Sequence, residues 1–270
     1  MSDHEPTEDA YRLHRRFDRM GRLVGDAAME RLFASHVVVI GLGGVGSFAA
    51  EALCRSGVGR LTLVDFDTVC VTNTNRQLQA MRGTVGKPKA SVLAERLRLI
   101  NPQAEIKAIP LFYEARIADL LLKGADWVVD AIDNVTTKCH LLATCRARQL
   151  PIVCATGASG RIDPTRVKVA DLADTRVDPL AAAVRRILRE KHDLPAKGPW
   201  GIPAVFSDEA PADPVELHYD HGQGFACVCP NDNDHHTCDE RNVIWGTTSF
   251  VTGAVGLTAA SVVVRALTGR

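Results

Sequence analysis

Apolar residues recur along this chain in two rhythms. Near the N-terminus Leu13, Phe17, Met20, Leu23 and Val24 fall on one helical face, amid many charges. Residues 1–34 are therefore predicted to be a helical segment. From residue 36 the rhythm changes to short apolar runs: 36–40, "GRLTLVDFD", "EIKAIP", "DWVVDAID" ending in Asp133, and "PIVCAT". Helical stretches are predicted between them, from the glycine turn to about residue 55, over 84–99 and over 134–149. Strands alternating with helices predict an α/β fold, a Rossmann-like, doubly wound and mostly parallel sheet with helices on both faces.

Beyond Arg161 the alternation weakens. One strand is expected in "RIDPTRVKVADLA" and one helix in "DPLAAAVRRILREKH". Residues 196–242 hold five of the thirteen prolines and three cysteines, and read as one long surface loop. A helix from about Trp245 closes the chain. The reading is a single domain over 1–270: helical segment 1–34, nucleotide-binding core 35–195, loop 196–242 and C-terminal helix 243–270. Residues 246–264 carry no charge and are long enough to span a bilayer. Their Gly, Ala, Ser and Thr content instead predicts a buried core helix, and no membrane is expected.

Composition narrows the classes. Lys+Arg and Asp+Glu balance at 32 each, so any surface for a polyanion must be local. The first residues are polar, which predicts no signal peptide. Single cysteines at 54, 70, 139, 145 and 154 suit reduced core thiols, and a cytoplasmic location is expected.

The candidate chemistry begins at "VVVIGLGGVGS". Gly41, Gly43, Gly44, Gly46 and Ser47 form a strand–turn–helix that can place a phosphate on a helix N-terminus. That turn fits NAD as well as ATP. Asp65 ends the second strand and is placed to bond a ribose hydroxyl, with Asp67 beside it. Asn73 and Arg76 follow in "NTNRQ", then Lys89 on a helix, then Asp133. Singly, each has a plain reading as a surface, turn or capping residue. Together they favour ATP. Expelling pyrophosphate needs cations and amides around three phosphoryl groups and a carboxylate for Mg²⁺, which a nicotinamide site does not.

In this order "GLGGVGS", "LVDFD", "NTNRQ", "VGKPK" and "DAIDN" resemble the ubiquitin-activating-enzyme-like superfamily. "VCVTNTNRQ", "GRIDPT", "DPLA" and "VFSDEAP" resemble its tRNA threonylcarbamoyladenosine dehydratase branch. The resemblance implies ATP-dependent dehydration of a threonylcarbamoyl group on tRNA adenosine. An acyl adenylate would form with loss of pyrophosphate, and ring closure would release AMP. It implies that Asp65 binds ribose, Asn73 and Arg76 the β- and γ-phosphates and Lys89 the α-phosphate, while Asp133 holds Mg²⁺. It further implies a homodimer in which Arg19 reaches the neighbour's site, a monovalent cation, and a cysteine-desulfurase sulfur-acceptor protein as partner.

Protein-adenylating members of the superfamily often carry two C-x-x-C pairs for zinc, and this chain has none. That counts against the alternative, adenylation of the C-terminus of a ubiquitin-like sulfur carrier. Zinc at Cys227, Cys229 and Cys238 is not expected either, since C-x-C is a poor match to finger spacing.

Overall fold

A computed structural model describes residues 8–217 and 244–270. Among them, β1 (His36–Ile40), β2 (Arg60–Val64), β3 (Glu105–Ile109), β4 (Trp127–Asp130), β5 (Ile152–Ala155), β6 (Val167–Asp171) and β7 (Pro203–Ser207) form one sheet. Its order is β3-β2-β1-β4-β5-β7-β6. Every pairing is parallel except that of the edge strand β6 with β7. The chain winds outward from β1 to β3, then crosses back to β4 on β1's other side. That reversal opens a crevice beyond the carboxyl ends of β1 and β4, where ligands bind in such sheets.

Alternation along each strand builds two cores. Val37 and Val39 point to the face covered by α2 (Asp26–Ala34), α3 (Gly46–Arg55), α4 (Lys89–Ile100) and α8 (Ser249–Thr268), through Leu32, Leu53, Leu93, Leu97 and Val255. Val38 and Ile40 point to the other face, under α5 (Ala118–Leu122), α6 (Val135–Ala147) and α7 (Pro179–Lys191), through Leu121, Leu141, Leu142 and Val184. α1 (Glu8–Val24) lies against α2, and Phe17 meets Phe33 edge-on with centroids 5.6 Å apart. Alone among the described helices, α8 is long and apolar enough to cross a membrane. It instead buries Val251, Val255, Ala259 and Val263 in the first core. The five described cysteines are unbridged and buried, and burial pushes the Cys54 thiol up to about 12.

Three boundaries differ from the sequence reading. The strand "DWVVDAID" stops at Asp130, so Asp133 lies in the turn that follows. The helix placed over 84–99 begins only at Lys89, because Gly86 takes a positive φ of 84° and Pro88 sits at the N-cap. The loop placed over 196–242 contains β7, an interior strand with Ala204 and Val205 fully buried. A five-residue run between prolines gave no long periodic signal, yet the gap between β5 and β6 can only be filled by it. Residues 218–243, including Cys227, Cys229 and Cys238, lie outside the described residues.

Candidate active site

Two glycines make the nucleotide turn. Gly41 takes φ +86°, and a Cβ there would lie 2.6 Å from the Ala131 carbonyl oxygen. A Cβ on Gly46 would lie 1.8 Å from the Gly41 carbonyl oxygen. β1 can therefore leave the sheet, pass against the end of β4 and start α3 only without side chains at these points. The helix's own hydrogen bonds begin at Ser47, so the amides of the turn just ahead of it are the ones this helix start can offer an anion. Gly43 accepts from Ser47 N at 3.1 Å, and the buried Ser47 Oγ accepts from Leu78 N at 3.4 Å. The turn is thus joined to the segment that carries Asn73 and Arg76. Gln79 strengthens that joint by donating to the Leu42 carbonyl at 2.6 Å.

Asp65 follows β2 and is buried. Its Oδ2 accepts from Leu42 N at 2.6 Å and its Oδ1 from Asp67 N at 2.8 Å. Each oxygen keeps capacity for a further donor such as a ribose hydroxyl. Burial, with Asp67 adding to it, holds this carboxyl above the usual range against the pull of Lys89 and the two amides. Phe66 and Phe112, edge-on with centroids 5.0 Å apart, stand next to Asp65 and Leu111 in the chain.

Lys89 is the first residue of α4, with a side chain only 7% exposed. Its Nζ donates to Asp67 Oδ2 at 2.7 Å, and its backbone N–H donates to the Asp67 carbonyl at 2.9 Å. Burial pulls its pKa down, but Asp65, Asp67 and Asp133 together outweigh burial and raise it. Asp67 is therefore the anchor of Lys89.

Asn73 is buried, and its Oδ1 accepts from Cys70 N at 3.0 Å, so the amide Nδ2 is the end it can offer a phosphate. Arg76 Nη1 donates to the Thr72 carbonyl and to Asn75 Oδ1, both at 3.0 Å. Asp133 is exposed, in the turn between β4 and α6. Its charge adds to those of Asp65 and Asp67 in raising the Lys89 pKa. Arg19 is exposed on α1 and makes no hydrogen bond or ion pair with any of these residues. Among the described residues no three or more His, Cys, Asp or Glu converge to hold a metal by themselves. A cation at Asp133 would take its other oxygens from phosphates and water, which is how Mg²⁺ is commonly held with nucleotides.

A second cluster, joined to the Asn73–Arg76 segment through the start of α8, was not legible in the sequence. Buried Arg161 donates through Nε to the Glu209 carbonyl at 3.0 Å and pairs with Asp178 at 3.5 Å. Asp178 Oδ2 accepts from Thr156 Oγ1 at 2.7 Å and Gly157 N at 2.9 Å, and its Oδ1 caps α7. Gly160 N donates to the Gly246 carbonyl at 2.8 Å, and Asn75 Nδ2 to that of Thr247 at 2.9 Å. The segments after β5 and β7, the start of α8 and the Asn73–Arg76 segment are thereby tied to one another.

Fold and site together define a nucleotide-dependent adenylating enzyme: a glycine turn at the switch point, a buried carboxylate just past β2, and a buried lysine whose charge three carboxylates support. The chain belongs to the ThiF family, which matches residues 17–270. It is 41% identical over 256 residues to the tRNA threonylcarbamoyladenosine dehydratase of Escherichia coli (strain K12), covering 94% of this chain and 92% of that protein. It is 47% identical over 197 residues to the enzyme of the same name from Haemophilus influenzae, covering 72% and 76%. The solved structure of the E. coli tRNA N6-threonylcarbamoyladenosine dehydratase TcdA in complex with ATP matches with a TM-score of 0.82 at 37% identity. That match covers 97% of this chain and 96% of the other.

Proposed function

We propose that this protein uses ATP to dehydrate the threonylcarbamoyl group of a tRNA adenosine. The observation that carries the reading is Lys89, a buried cation whose charge Asp65, Asp67 and Asp133 support. Such a group has a use when phosphoryl charge must be moved and none when a hydride is. Similarity to the E. coli dehydratase along nearly the whole chain supports the substrate. The carboxylate of the substrate attacks the α-phosphorus, and the bond to pyrophosphate breaks. The amides of the glycine turn, Lys89, Asn73 and Arg76 hold the charge that builds on the phosphoryl oxygens. Asp65 fixes the ribose, and Asp133 would hold Mg²⁺, which neutralises the departing pyrophosphate. Internal attack on the acyl adenylate then closes the ring and expels AMP. Because the reacting groups share one nucleoside, no nucleophilic side chain is required.

The test is to incubate threonylcarbamoyl-modified tRNA with enzyme, ATP and MgCl₂, and to weigh the nucleosides by mass spectrometry. Loss of one water, about 18 Da, only with ATP is expected. An unchanged nucleoside together with adenylation of a ubiquitin-like C-terminus would transfer the activity to a protein substrate. At a hundredfold excess over its dissociation constant, ATP with Mg²⁺ should add about 2.7 kcal/mol of stability. For a chain of this length that is a melting shift of about 5–10 °C. NAD at the same concentration should give almost none; an equal shift would refute the ATP assignment.

We also propose a homodimer in which Arg19 completes the neighbour's site. A row on α8 that includes Phe250 and Leu257, each about half exposed, offers apolar surface for a second copy. Mixing Arg19→Ala with Asp133→Asn subunits should restore about a quarter of the wild-type rate, because half of randomly paired dimers are hybrid and one of their two sites is whole. Verified hybrids without activity would rule out the trans role.

A further inference from the structure

Asp130 and Lys138 are both fully buried, and the chemistry above uses neither. Lys138 Nζ lies 2.8 Å from Asp130 Oδ2, and its hydrogen bond goes to the Ile132 carbonyl at 2.9 Å. Asp130 Oδ1 in turn accepts from Ile132 N at 3.1 Å. The pair therefore grips Ile132 by both backbone groups. The Ile132 carbonyl belongs to the same rigid plane as the Asp133 amide, so Lys138 fixes the peptide that leads into Asp133. The surroundings are held as well. Ala131 N donates to the Ile40 carbonyl at 2.9 Å, the Ala131 carbonyl packs on Gly41, and Asn134 Oδ1 caps α6 through Thr137 N at 3.0 Å.

Stability alone does not account for this arrangement. Burying two charges loses about as much hydration as the pair regains, and apolar residues of similar size commonly serve as well. The distinctive product is the direction of one turn. We propose that the Lys138–Asp130 pair is a positioning device for Asp133 and sets how tightly the enzyme takes up the divalent cation that accompanies ATP. The inference rests on the reading of Asp133 as the carboxylate that holds that cation. Groups that orient a ligating side chain typically change metal affinity by about 10–100-fold when removed.

Removing Lys138 alone would leave Asp130 charged and stranded, so the pair is exchanged as a unit. Two versions are made, Asp130→Leu with Lys138→Met, and Asp130→Asn with Lys138→Gln. The measurement is the ATP-induced melting shift, at fixed ATP, as MgCl₂ is titrated from EDTA upward. The expected result is an unliganded melting temperature close to wild type, an unchanged shift from ATP in EDTA, and a Mg²⁺ midpoint raised about tenfold or more. A folded exchange variant whose midpoint stays within about twofold of wild type would overturn the proposal. Unfolding of both versions would overturn it too, since the pair would then be required for the fold itself. Asp133→Asn, run alongside, separates the two readings. If it leaves the midpoint unmoved, Asp133 does not hold the cation and both readings fall. If it moves the midpoint while the exchange variants do not, only the positioning role is lost.

Discussion

Lys89→Ala lowers the rate of AMP formation by about 10²–10³-fold and also lowers the melting temperature. The first effect follows from the role proposed for it: a cation at the head of α4 would face charge that grows as the α-phosphate is attacked. The second follows from burial. The side chain is 7% exposed and its partner Asp67 21%, so truncation leaves Asp67 and Asp65 facing each other without the cation between them. Breaking a buried pair costs about 3–5 kcal/mol, and the partial exposure of Asp67 puts this case at the lower end. Burial, the largest influence on Lys89, opposes its charge, but the three carboxylates raise its pKa above the ordinary lysine value. A lysine raised on folding contributes stability that is complete below its unfolded pKa and lost only as pH rises through the folded one. That window lies above about pH 10, so the difference between wild type and variant should be flat from about pH 6 to pH 9. Pyrophosphate-release assays and calorimetry across that range check both parts. A near-normal rate in folded protein would remove Lys89 from the chemistry.

Asp133→Asn gives the opposite combination. Asp133 is exposed, and its loss should change stability by no more than about 0.5 kcal/mol. The rate should still fall by about a hundredfold or more, with part recovered at high MgCl₂. The two variants thus separate a group that both builds and uses the site from one that only uses it. An Asp133→Asn enzyme with a wild-type Mg²⁺ dependence would show that another group holds the cation.

The parts of the site legible in the sequence are those whose spacing is local. Gly41 to Gly46 lie within one turn, and Asp65, Lys89 and Asp133 each sit just past a strand or at a helix start. Their convergence follows from a parallel sheet that brings its carboxyl ends together. The parts that were not legible are partnerships. Lys138 falls on the buried face of α6 with Cys139, Leu141, Leu142 and Cys145. A lone cation on an apolar stripe was its only signal, and nothing in the chain names Asp130 as its partner. Arg161, Asp178 and Glu209 meet only because β7 inserts between β5 and β6. That insertion was hidden in turn by the prolines around a short run. The Asp67–Lys89 pair was hidden for the same reason, since two acids two residues apart do not reveal which one faces a lysine.

The place of β7 has a consequence for the birth of the molecule on the ribosome. The block β3-β2-β1-β4-β5 can assemble from the first 155 residues in the order in which they are made. β6 emerges next and has nowhere to dock, because its sole strand neighbour is β7, made some thirty residues later. Until then the rim of β5 stays bare, and so does the groove that α8 fills at the very end. The links from β7 and α8 to the Gly160–Arg161 and Asn73–Arg76 segments are therefore the last part of the nascent chain to take shape.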